Sequence, residues 1–136
     1  MNEIQFNELT KRYLDCPYFL GDTVQGFDCI TLIFDFYGAL GVKLPEEFNG
    51  WTLGNYAERW SRGEGRDELL DFLTSLGTSV EKNYMRRGDL VIFKADILGA
   101  GIYLGNGSVL GITTDGGKVF SIRTLDKFIH DIRRLT

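Results

Sequence analysis

The chain has 136 residues, 43% of them hydrophobic and 13% aromatic, which is enough for one compact domain over residues 1–136 and too little for a second. A formal net charge of -4 with a pI near 5.0 argues against an electrostatic nucleic-acid surface, and Met85-Arg86-Arg87 and Arg133-Arg134 read as ordinary solvated charge. No window is long and apolar enough to span a membrane, and the opening MNEIQFNELTKRYL lacks the apolar stretch of a signal peptide, so the sequence predicts a protein made in the cytoplasm without a membrane partner.

In chain order, Glu3 to Tyr13 predicts a short amphipathic helix, with Ile4, Leu9 and Tyr13 loosely on one face. Between Cys29 and Leu40 apolar residues are so dense that a helix there must be buried on most sides, and Gly41 and then Pro45 stop it. PEEFNGWTLGNYAERWSRGEG reads as a loop with one short helix around Asn55 to Trp60, and Asp67 to Leu76 as a further helix closed by Gly77. The period then changes from helical to strand-like. DLVIFK, Asp89 to Lys94, is apolar on both faces and predicts a central strand. GIYLGNGSVLGIT places Asn106-Gly107 between two strand-like runs, a strong hairpin signal, and Asp115-Gly116-Gly117 repeats the device. The expectation is an α+β domain in which a buried helix carrying Cys29 packs on a small antiparallel β-sheet met as a meander.

Cys16 and Cys29 form neither a CxxC motif nor a Cys/His cluster, so both read as free thiols and neither a metal nor a cofactor is expected. Cys29 stands where the buried helix begins. Unpaired N–H groups and the positive end of the helix dipole favour thiolate there, which is how a nucleophilic cysteine is activated. A free cysteine is also a common small core residue, and position alone does not decide between the two.

GFDCITL, GVKLP, RRGDLVIF and GIYLGNG, in that order and at these separations, resemble the NlpC-type branch of papain-like cysteine peptidases, from about Tyr18 to Gly107. That family cuts peptidoglycan stem peptides and has relatives in bacteriophage tails, which FNGWTLGNYAERW also resembles. The resemblance implies that Cys29 holds the nucleophile position, Asp28 the acidic position before it, and Tyr18 an aromatic position lining the cleft. It also implies a general-base histidine and a valine where this chain has Gly99 and Ala100, and a polar third triad member near Gly111. The serine that usually follows the cysteine is Ile30.

Thiol attack needs the thiol deprotonated and the expelled amine protonated, and an imidazole paired with the cysteine does both. Losing one member of such a unit lowers turnover by roughly four to six orders of magnitude. Asp96, nearby in sequence, is too weak a base to replace it and would disfavour thiolate. The single histidine, His130, lies downstream in LDKFIHDIRRL and reaches Cys29 only if that segment folds back; otherwise it is a surface or half-buried residue of the last strand. Tyr103 faces either the cleft or the packing of its strand.

Two functions follow. In the first, the chain is a catalytically degenerate homologue, a binding or structural module of a phage or prophage tail, cytoplasmic before any virion assembly, with a peptide or phage-tail protein as partner. Its cleft, relieved of the imidazole, is wider and more apolar, or else has closed. In the second, it is an active thiol hydrolase of stem peptides, with Cys29 as nucleophile and His130 or a partner's residue as base.

Overall fold

The computed structural model describes residues 2–95 and 98–136, so Asp96 lies outside the described residues. Helix α1 (Glu3–Lys11) opens with a capping box, in which Asn2 Oδ1 accepts from Gln5 N at 2.9 Å and Gln5 Oε1 accepts from Asn2 N at 3.0 Å. It stops two residues short of the predicted Tyr13, which still reaches the core and donates its hydroxyl to Asp35 at 2.5 Å. Helix α2 (Cys29–Ala39) buries Ile30, Thr31, Leu32, Ile33, Phe36 and Tyr37, as its composition requires, and Gly41 at φ +83° turns the chain away.

The stretch read as a loop contains a small hairpin, β1 (Glu47–Phe48) and β2 (Trp51–Thr52), before α3 (Tyr56–Ser61) and α4 (Arg66–Ser75). Its turn is Asn49-Gly50, both at positive φ, the same signal recognised at Asn106-Gly107. The hairpin delivers Trp51 to a stack on Phe72, ring centroids 4.1 Å apart, with Phe34 alongside both.

After β3 (Thr78–Ser79) and a 3₁₀ turn (Lys82–Tyr84) come β4 (Leu90–Lys94), β5 (Leu98–Gly105), β6 (Ser108–Thr113) and β7 (Gly116–Ser121). Helix α5 (Ile122–Leu125) and a second 3₁₀ turn (Asp126–Phe128) lead to β8 (Ile129–Arg134). All strand pairs are antiparallel, in the order β3-β8-β4-β5-β6-β7. Strands β4 to β7 form the predicted meander. Strand β8 departs from it by crossing back between β3 and β4.

Helix α2 packs on the face that carries Leu90, Ile92, Ala100, Ile102, Leu110 and Ile112, each at most 9% exposed. Burial of each larger aliphatic contributes about 1.5–3 kcal/mol. Strands β5 and β6 approach so closely that a Cβ on Gly101 would stand 2.7 Å from the Leu110 carbonyl oxygen. The start of β4 is fixed twice. Tyr37 donates its hydroxyl to the Gly88 carbonyl at 2.7 Å, and Asp89, 2% exposed, accepts two bonds from Arg134 at 2.9 and 2.8 Å. Among the described residues no helix is long and apolar enough to cross a membrane.

Candidate functional site

The site starts from Asp28, the N-cap of α2. Its Oδ1 accepts from Ile30 N at 2.9 Å and Thr31 N at 2.8 Å, while the Thr31 hydroxyl accepts from Asp28 N at 2.8 Å. Its Oδ2 accepts from Gly21 N at 2.7 Å and from the Tyr56 hydroxyl at 2.6 Å. One buried carboxylate therefore ties the helix start, the preceding loop and α3 together, with both oxygens satisfied inside the protein. Tyr56 escaped the sequence reading, because nothing in NYAERW signals a contact 28 residues upstream.

Cys29 is the first residue of α2, half-buried, and faces the start of β5, where the Ala100 backbone N–H is directed at its sulfur. Its thiol pKa is pushed up to about 12, first by burial and then by the Asp28 charge, against a smaller opposing effect of the Ala100 and Cys29 backbone N–H groups. This corrects the expectation that the helix terminus lowers it: the dipole is present, and desolvation plus an adjacent carboxylate outweigh it. The Tyr18 and Tyr56 hydroxyls are likewise raised, Tyr18 by burial and then by Asp28 and Cys29, so both are neutral at physiological pH.

Beside Cys29 lies a cavity of about 510 Å³. Tyr18, Asp28 and Tyr56 line it on the helix side, and Gly99, Ala100 and Gly111 on the sheet side. The cleft has not closed. Among the described residues, a Cβ built on Gly99 meets no atom within 4 Å, and one on Gly111 meets the Phe120 ring at 3.5 Å. The remaining wall is largely apolar, including Leu20, Trp60, Leu69, Phe93 and Phe120.

The structure thus brings Tyr18, Asp28 and Cys29 together and leaves two predicted residues outside. Tyr103 does not line the cavity; strand alternation turns it away from the Ala100 and Ile102 face, and its hydroxyl accepts from Gly107 N at 2.9 Å, bracing the β5–β6 turn. His130 is exposed on β8, which is separated from β5 by β4, and it does not line the cavity. Among the described residues no cluster of acidic, histidine or cysteine side chains forms a metal site.

The family model of NlpC/P60 matches residues 15–131. The chain belongs to the NlpC/P60 family. Its fold is similar to that of an NlpC/P60 family protein from Bacillus cereus, with a TM-score of 0.70 at 18% identity over 99% of this chain and 40% of that one. NlpC1 from Trichomonas vaginalis gives 0.71 at 20% identity over 98% and 44%. RipD from Mycobacterium tuberculosis, a non-catalytic NlpC/p60 domain protein adapted to peptidoglycan binding, gives 0.67 at 18% identity over 100% and 99%. The chain thus spans less than half the length of the first two, and their likeness is one of fold. No curated protein matches. The NlpC/P60 membership agrees with the resemblance read from the four sequence blocks and with the α+β architecture read from the hydrophobic periods and turns.

Proposed function

We propose that this chain, a single NlpC-like domain over residues 1–136, is a catalytically degenerate NlpC/P60 homologue that uses the cleft beside Cys29 to bind rather than to cut. The observation that carries the reading is the wall facing the thiol. Gly99 and Ala100 stand where the resemblance assigns the base, no imidazole lines the cavity among the described residues, and the thiol is held neutral. At pH 7 a group with a pKa near 12 is about 0.001% ionised. The likeness to non-catalytic RipD supports this reading, since the same scaffold there serves binding. The setting we propose is a phage or prophage tail, with a peptide or a tail protein as partner of the domain.

The test is hydrolysis. Purified protein incubated with a peptidoglycan stem peptide should release no more product than a Cys29→Ala control. Cleavage lost in both Cys29→Ala and His130→Ala would instead establish a working thiol hydrolase.

A further inference from the structure

The cavity's chemistry names its occupant more closely than the word binding does. None of its described lining residues is Lys, Arg or His, and the one carboxylate, Asp28, has both oxygens occupied by donors of the protein itself. A stem peptide brings free carboxylates and an ammonium group, and nothing in this lining compensates their desolvation. The Cys29 thiol and the Tyr18 and Tyr56 hydroxyls are neutral. Among these groups the Tyr18 hydroxyl is the one that lines the cavity while making no hydrogen bond to a described residue.

Shape adds a second constraint. Ala100 and Ile112 belong to the sheet face against α2, whereas Val109, Gly111 and Phe120 lie on the other face by strand alternation and register, and all of them line the one cavity. The cavity beside Cys29 therefore touches residues of both sheet faces, near Gly99 at the start of β5 and Gly111 in β6. Gly99 and Gly111 place no side chain in it, where the resemblance implies a histidine and a second polar residue. A largely apolar space of this volume, with a few neutral polar groups in its lining, falls in the range of small-molecule sites.

We propose that this cavity binds an uncharged, mainly apolar ligand, its polar end at the Tyr18 hydroxyl, and excludes the charged stem peptide. The inference rests on the reading of the cleft as a non-cutting binding site and adds the class of ligand.

Fluorescence titration of the full chain with N-phenylnaphthylamine, a neutral apolar probe, tests it. Saturable binding is expected, with displacement by n-decanol and none by the tripeptide L-alanyl-γ-D-glutamyl-meso-diaminopimelate. Gly99→Leu and Gly111→Val each place carbon in the cavity and should weaken probe binding by roughly tenfold or more, about 1.4 kcal/mol per decade. Thermal unfolding of each shows whether it is folded, and a folded variant decides the point. Absence of saturable binding, or unchanged binding in a folded variant, overturns the proposal. Displacement by the tripeptide as effective as by decanol also overturns it, while leaving the non-cutting reading intact; cleavage of the tripeptide is what would overturn that reading.

Discussion

The two walls of the cleft differ in how their residues are held. On the helix side, Asp28 caps α2, accepts from the loop at Gly21 and is reached by the Tyr56 hydroxyl from α3, so three segments of the chain depend on one carboxylate. On the sheet side, Gly99 has open space where a side chain would stand, and β5 keeps its place through the ladder to β4 and through Ala100 and Ile102 in the core. The first wall combines scaffold and site in the same atoms. The second separates them, so polar groups can be absent from it with the fold intact. Asp28 is therefore tied to the stability of the domain whatever the cleft does, while the sheet-side wall is not.

Four measurements can break or sharpen that comparison. The largest effect concerns the thiol: alkylation of Cys29 by iodoacetamide, followed against pH, should climb toward a midpoint near 12 rather than level off near the ordinary value of about 8.5. Because the pKa is raised, the reactive thiolate appears only as pH rises, and a plateau below pH 9 would show that the helix dipole governs the site after all. Next is Asp28→Ala, which removes the cap of α2 and orphans the Tyr56 hydroxyl and the Gly21 N–H; it should cost about 3 kcal/mol in denaturant unfolding. A loss under about 1 kcal/mol would mean that the helix-side wall is not held by this carboxylate.

Tyr56→Phe leaves the cap in place and deletes one hydroxyl, so a loss of about 1 kcal/mol is expected, read from the shift in urea midpoint at constant m-value. The smallest effect belongs to the sheet side. Gly99→His should change stability by no more than about 0.5 kcal/mol, since the new side chain enters open space in a strand with no positive φ at that position. The same variant should lower the Cys29 alkylation midpoint by placing a cation-forming group at the cleft. A strongly destabilised Gly99→His would show that the space is needed by neighbouring side chains.

Much of this arrangement was legible in the sequence because it depends on neighbours in the chain. The density of apolar residues from Cys29 onward and the Asn106-Gly107 turn act over a few residues; the cap at Asp28 is equally local, though it escaped the sequence reading. The hairpin at Asn49-Gly50 carried the same turn signal and was missed because each of its strands is two residues long, too short to show a period. The place of β8 was not legible, since pairing such as Ser79 with Arg133 depends on distant segments. The direction of the Cys29 pKa was misread for a related reason. The helix dipole is local and visible in sequence, whereas the enclosure that outweighs it comes from β5, some seventy residues later in the chain.

Strand β8 also sets the order in which the molecule can be assembled. Strands β4 to β7 can pair successively as they emerge during synthesis, each with the strand just before it. The place between β3 and β4 stays empty until residues 129–134 arrive, and only then does Arg134 meet Asp89. Until that moment one edge of β4 offers unpaired N–H and C=O groups to any other strand, with the Asp89 charge beside it as a local group that opposes such pairing.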